Sequence, residues 1–547
     1  MDKKKIAALA VAVAVLVGGV AYGCVFGGKI QSGGDVRKIT SAGSYTFSGE
    51  INGKIKVEAG TDDEIEIVLA GVNITNPDGP CIKVATAGAV KLVLLEGTDN
   101  ILKSGSEANP TGDGSAVNSN ADLTVAGSGS LVVYGYNNNG IHSKKNLVID
   151  DGNLSVYANG DCIQADGNMT VAGGCITVAT LGVNDASDLN TKSDGFDFGG
   201  FGGGLGRPER TRGGFEMPDG FDRDEVIREL EKNAVPERPR DNQNERPGNE
   251  TEVGESSSDS QKGLKANGKL AITGGTVKIL TQDDAVHCND EMEISGGKLI
   301  LASGDDGIHA DESIVISNAD IDVQKSYEGI EAHHITINSG SLSVVASDDG
   351  FNANGGSNNI GQGGGFGGFG RMFGGGESGS DNDMPSIIIN GGSVYVNAQG
   401  DGLDSNGNLT INGGTVIVDG PSSGANGALD CGSENGGTLL VNGGTVLAIG
   451  ASGMAESPES DSRQAFVYQN VSFSAGSVIR IVDESGTELI THTAAKSGGN
   501  IVFSSPQLKE GTMLTIYIDT SITEVTAGKK SDGGGFGGFG GGGGQQK

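Results

Sequence analysis

The chain has no tryptophan, and Phe and Tyr number only 16 and 9 among 547 residues. Basic residues are also scarce. Lys and Arg total 37 against 70 Asp and Glu, a formal net charge of −33. That balance excludes nucleic acid, whose recognition needs basic stripes, and disfavours anionic lipid headgroups. Apolar residues make up 35%, below the roughly 45–50% usual in globular chains. After the first 24 residues no segment is apolar enough to span a bilayer. A ligand of such a chain must be held by cations, hydrogen bonds or both. Glycine is in excess, with 97 residues. It follows no three-residue period, which excludes collagen, and the short regular runs of Val, Ile and Leu exclude a wholly disordered chain.

The N-terminus reads as an export signal. Lys3, Lys4 and Lys5 precede an apolar stretch from Ile6 to Val17 and then Gly18-Gly19. Ala21-Tyr22-Gly23-Cys24 resembles a lipobox, although Leu is usual at the first of these positions and a small residue at the second. Lipidation at Cys24, an ordinary cleaved signal and an uncleaved anchor all stay open. Each places the body outside the cytoplasm, extracellular or at the cell surface. Cys81, Cys162, Cys175, Cys288 and Cys431 form no spaced framework and are expected as core fillers or free thiols.

One pattern recurs: an acidic turn, Gly or Ala, an aliphatic residue, a polar residue and a small residue. Gly140-Ile141-His142, Ala285-Val286-His287, Gly307-Ile308-His309 and Gly402-Leu403-Asp404 are examples. Uninterrupted spacings are 24 and 22, then 22, 22, 22 and 21. Each start leads into a period-2 alternation ending in Gly-Gly and then another alternation, as in Leu270 to Ile279 and Leu409 to Val418. Three short strands per repeat, with no helical period between them, predict an all-β right-handed parallel β-helix of roughly ten coils. In Gly307-Ile308-His309-Ala310, Ile308 and Ala310 share a parity and face inward, so His309 faces outward.

Residues 36–110 read as an N-terminal β cap with the first coils, 111–450 as the β-helix and 451–525 as a C-terminal β cap. Two insertions, 199–261 and 355–384, break the repeat. Their composition predicts disorder, with a short helix near 224–232. A Gly-rich tail fills 526–547. Gly-Gly-Phe occurs in both insertions and the tail, as linker sequence or as Phe contacts to a cell wall or neighbouring chains.

The acidic turns are the chemical signal. Asp161, Asp283, Asp284, Asp305, Asp306, Glu328, Asp348, Asp349 and Asp401 all precede a coil start. Coils stacked about 4.8 Å apart would bring these like charges together, where they repel unless cations intervene. Ca²⁺, which prefers carboxylate and carbonyl oxygen in irregular shells, suits them. Equally, Asp and Gly suit tight turns with solvated carboxylates. The outward column beside them offers His142, Lys265, His287, His309, Glu331, Asn352 and Asp404 for hydrogen bonding along one face. His287 and His309, one coil apart, suit either surface hydrogen bonding or a transition metal.

Asn138 to Lys144, Lys262 to Gly268, Gly304 to Asp311, Gly450 to Ala455 and Gly71 to Asn76 resemble a clostridial parallel β-helix carbohydrate-binding family. The resemblance spans about residues 36–525 outside the insertions. It implies a pectate-lyase-like fold, bound Ca²⁺ at turns of the Asp-Asp-Gly type, and polygalacturonate or cellulose-type glycans as partners. The insertions depart from the family pattern and would mask or extend a glycan face.

A pectate-type lyase needs Ca²⁺ and a base, usually Arg in this fold, to take the C5 proton. No Arg lies on an assigned coil strand between residues 41 and 450. Lys265 is the alternative base, and abundant carboxylates make any hydrolase-like pair undiagnostic. The expectation is therefore a monomeric, calcium-dependent polysaccharide-binding protein without catalysis. A lyase and a structural or adhesive surface protein are the alternatives.

Overall fold

The computed structural model describes residues 25–26, 30–33, 36–105, 114–183, 260–354, 384–424 and 426–528. The signal segment, Cys24, the 224–232 helix and all but the edges of both insertions and the tail lie outside these residues. The chain is all-β. A single sheet of 39 strands, mostly parallel, is accompanied by a separate four-stranded antiparallel sheet. Among the described residues the only helical element is the 3₁₀ turn Ser433–Asn435.

The large sheet is built from three parallel ladders, because each repeat contributes strands of the same phase to each. In the first ladder Val117, Ile141, Ile163, Leu264, Val286, Ile308, Ile330, Phe351, Leu403 and Leu429 are successive register partners. Ile163 pairs with Leu264 and Phe351 with Leu403. The sequence interruptions therefore leave the ladder register intact. The second ladder runs through strands such as Leu270–Ile272 and Glu291–Ile294, the third through Thr276–Thr281 and Lys298–Ser303. Strands within 36–104 join the same ladders, as Ile82 pairing with Val117 illustrates.

Period-2 alternation decides which residues are buried. Strands of the first ladder show a buried, intermediate, buried pattern, as in Leu264–Ala266 and Val286–Cys288. The inward residues of all three ladders form one continuous apolar cluster. Cys288 and Cys431 stack in a small-residue column with Ala310 and Ala353. Cys81, Cys162, Cys288 and Cys431 are buried, Cys175 is exposed, and all five are free thiols.

Two glycine positions shape each repeat. The second residue of the Gly-Gly turn is left-handed, with φ of 85° at Gly275, 91° at Gly297 and 84° at Gly414, a region open to glycine at little cost. The glycine before the first-ladder strand is required by close approach. A Cβ on Gly350 would lie 2.2 Å from Val396 Cγ1 and 2.5 Å from the Gly402 carbonyl oxygen. At the C-terminal end Thr445–Gly450 pairs antiparallel with Gly498–Ser504, which also pairs with Phe466–Phe473. Beyond these, Val478–Asp483, Glu488–Thr493, Met513–Ile518 and Ser521–Thr526 make the four-stranded sheet.

Replacing Gly350 by Val should lower stability by about 1–3 kcal/mol through overpacking, read as a reduced urea midpoint. An unchanged midpoint would mean that adjacent repeats are not packed this closely.

Candidate functional site

Two parallel columns run side by side along the first ladder. The outward residues of its strands give Lys83, Asn118, His142, Gln164, Lys265, His287, His309, Glu331, Asn352, Asp404 and Asp430 in register order. Basic and neutral residues occupy its early part and acids its end. The turn residue before each strand gives the second column: Asp161, Lys262, Asp284, Asp306, Glu328, Asp349 and Asp401. Backbone hydrogen bonds fix that order, for example Cys162 N to Lys262 O, Gly263 N to Asp284 O and Gly350 N to Asp401 O.

The acidic members receive different compensation. Asp161 accepts from Ser260 Oγ at 2.6 Å and Lys262 N at 3.0 Å and pairs with Lys265 Nζ at 3.2 Å. Lys262 Nζ bonds Asp283 at 2.9 Å and also Asp284. Burial would depress the Lys262 ammonium, but Asp284 and Asp283 raise its pKa well above the ordinary lysine value. Several carboxylates also brace the next turn. Asp284 Oδ1 accepts Asp306 N at 3.2 Å, and Asp349 Oδ1 accepts Asp401 N at 2.6 Å. In the early part of the outward column, His142 bonds Asp166 at 2.9 Å.

A cleft of about 300 Å³ is lined by Lys262, Asp284, His287, Asp305, Asp306, His309, Tyr327, Glu328 and Glu331. The two imidazoles stack, with centroids 4.9 Å apart and planes inclined by 26°. His287 Nδ1 lies 2.8 Å from Asp284. His309 Nδ1 lies 2.9 Å from Asp306 and 3.0 Å from Glu331. Asp306 and Asp284 are 5% and 2% exposed. Burial raises Asp306, and the neighbouring Asp284 and Glu331 charges add to that rise. Burial would also raise Asp284, but His287 and Lys262 hold it below the usual carboxylate range. Burial, Glu331 and Asp306 push Glu328 up to about 10, although Asn352 Nδ2 donates to it at 2.8 Å.

A second cluster is all-oxygen. Carboxylate oxygens of Asp349, Asp401 and Asp404 lie within 4.8 Å of one another. Burial, then mutual repulsion with Asp348, Asp401 and Asp404, pushes Asp349 to about 8. Burial, Asp401 and Asp430 push Asp404 to about 8. Burial leads the rises of Asp401 to about 6 and of Asp430 to about 7. Among the described residues, the ion pairs found include none to these four carboxylates. Beside them Asn352 is 9% exposed, and its Oδ1 is buried without a hydrogen-bond partner. Three carboxylates and an amide oxygen fit a hard divalent cation. The histidine-bearing cluster, with nitrogen donors, does not.

The sequence-selected acids thus lie in the turn column or, for Asp283, Asp305 and Asp348, one residue before it, but they separate chemically. Asp284, Asp305, Asp306 and Glu328 line the cleft, Asp283 groups with Asp284 and Asp305 beside it, Asp348, Asp349 and Asp401 meet beyond it, and Asp161 is tied to lysines. Lys262 and Tyr327 escaped the sequence reading. The signal for Lys262 was present: it stands just before Gly263, where neighbouring repeats carry acids.

Each raised carboxylate binds a proton in the folded chain at a pH where the unfolded chain has lost it. For Asp349 and Asp404 that stabilisation is therefore complete below the ordinary value of 3.8 and is lost as pH rises through about 8. Chelator-treated protein should lose thermal stability between about pH 4 and 8, and Asp404→Asn should flatten that slope. An equal slope in the variant would contradict the electrostatic account.

A family model described as "Carbohydrate-binding domain-containing protein" matches residues 33–201 and 240–307. The chain is similar to a protein of Acetivibrio thermocellus named "Carbohydrate-binding domain-containing protein", 39% identical over 127 residues. The match covers 22% of this chain and 44% of that protein, so the chain spans under half the length of this relative. It is also similar to a solved structure of a "polysaccharide lyase-like protein from C. thermocellum, Gadolinium derivative". That alignment covers 53% of this chain and 89% of the other, at 23% identity and a TM-score of 0.36.

Proposed function

We propose that this chain is an extracellular carbohydrate-binding protein that holds an acidic polysaccharide of polygalacturonate type through Ca²⁺. In this reading the three parallel ladders are the faces of a right-handed β-helix, and the outward column of the first ladder is the glycan track. The observation that carries the proposal is the oxygen cluster of Asp349, Asp401 and Asp404 beside the unpartnered Asn352 Oδ1. A hard cation there would relieve the repulsion and supply the positive charge that a uronate carboxylate needs in an acidic chain. His142, Lys265, His287, His309 and Glu331 extend the track with hydrogen-bonding groups. The family-model match over 33–201 and 240–307 supports the carbohydrate part of the reading.

The lysines argue for binding over catalysis. Lys262 is held by Asp283 and Asp284, and Lys265 by Asp161. An ammonium engaged in this way is a poor base for abstracting a C5 proton.

Retention on insoluble polygalacturonate should require Ca²⁺, be abolished by chelator, and weaken about tenfold or more in Asp404→Asn or Asp349→Asn. Asn at 349 keeps an acceptor for Asp401 N, so the variants should fold. Retention indifferent to chelator and to both substitutions would overturn the calcium reading. Accumulation of unsaturated, ultraviolet-absorbing product would overturn the absence of catalysis.

A further inference from the structure

We infer that His309, Asp306 and Glu331, with His287 from the preceding repeat, form a binding site for a borderline divalent transition metal such as Zn²⁺, separate from the all-oxygen cluster. The inference does not depend on the glycan reading. It starts from a motif that occurs twice in register: Asp284-Ala285-Val286-His287-Cys288-Asn289 and Asp306-Gly307-Ile308-His309-Ala310-Asp311. In both, the imidazole Nδ1 faces the acid three residues before it, at 2.8 Å and 2.9 Å. In both, Nε2 faces a side-chain oxygen two residues later, Asn289 Oδ1 at 2.8 Å and Asp311 Oδ1 at 3.3 Å.

Those outer contacts define which atoms are available. Both nitrogens of each ring face oxygens that accept, so the metal-free ring can carry a proton on each, and a metal would replace the Nδ1 proton while Nε2–H stays on its outer oxygen. Glu331 is oriented in the same manner. Asn354 Nδ2 holds its Oε1, leaving Oε2 facing His309 Nδ1 at 3.0 Å. Three atoms, His309 Nδ1, Asp306 Oδ2 and Glu331 Oε2, thus converge, and two carboxylates meeting at one ring nitrogen need a positive species between them. A second proton on the ring would serve. A metal ion would use all three atoms as ligands, with the outer atoms of His309 and Glu331 already tied, as is usual for metal-binding side chains.

The donor set selects the class of ion. Imidazole with carboxylate suits Zn²⁺ and its neighbours in the transition series, whereas Ca²⁺ and Mg²⁺ take oxygen. His287 and His309 share with Asp284 a second grouping whose ligand atoms all lie within 4.8 Å, so the neighbouring repeat can complete the coordination. The cleft of about 300 Å³ leaves the site reachable.

The test is titration of the full, chelator-stripped chain with Zn²⁺ alone by calorimetry, in the presence of excess Ca²⁺ to mask weak surface carboxylates. A saturable component should appear in the native chain, vanish in His309→Gln, and weaken about 10–100-fold in Asp311→Ala, which removes only the outer partner of the ring. Asp404→Asn should retain it, which separates this site from the proposed calcium cluster. Circular dichroism establishes that each variant is folded. If His309→Gln does not fold, visible absorption of Co²⁺ added to the native chain decides: nitrogen-ligated bands lost on adding Zn²⁺ support the site, and their absence overturns it. Equal Zn²⁺ uptake by the native chain and His309→Gln also overturns it.

Discussion

Parallel stacking in register governs this molecule. When a repeat of about 22 residues places each strand over its equivalent, any residue type that recurs in the repeat becomes a column. For apolar side chains this is favourable, and the inward residues accordingly join one continuous core. For carboxylates it is costly, because strands about 4.8 Å apart hold like charges within strong repulsion. The turn column from Asp161 to Asp401 follows from the same geometry that forms the core.

The chain resolves that repulsion differently along the column. Near its start, lysine breaks the run: Lys262 sits between Asp161 and Asp284 and bonds Asp283 and Asp284. In the middle, histidines from the outward column lean against Asp284, Asp306 and Glu331. Towards the end no such partner is found among the described residues, and burial with mutual repulsion drives Asp349 and Asp404 up to about 8. Backbone N–H groups contribute throughout, since Asp284 and Asp349 each accept from the next turn. These acids are thus also turn braces, which accounts for their recurrence where a solvated surface charge would suffice.

Much of this was legible before the structure. The spacing of Gly307-Ile308-His309 and its relatives identified the repeat, and period-2 parity placed Ile308 inward and His309 outward. It also put Cys288 and Cys431 in a small-residue column with Ala310, as the register partners bear out. The acidic turns do stack as expected, but Lys262 interrupts them and lysine and histidine side chains lean in from beside them, which spacing does not specify. Asn289, Asp311 and Asn354 act through rotamers that no periodicity encodes. The unpartnered Oδ1 of Asn352 is likewise visible only once Glu328 has taken its amide nitrogen.

That Asn352 to Glu328 bond marks where the chemistry changes. On one side the convergent atoms include imidazole nitrogen, and on the other they are all oxygen. In the proposed readings, ligand softness would divide the column between a borderline metal and a hard one without any change of fold. A ligand that binds only the folded chain stabilises it by mass action, so an ion seated among buried carboxylates would relieve the strain that stacking creates. In such a fold the electrostatic cost of the repeat and its capacity to hold a cation have one origin. The residues most unfavourable to the empty chain are therefore those best suited to binding.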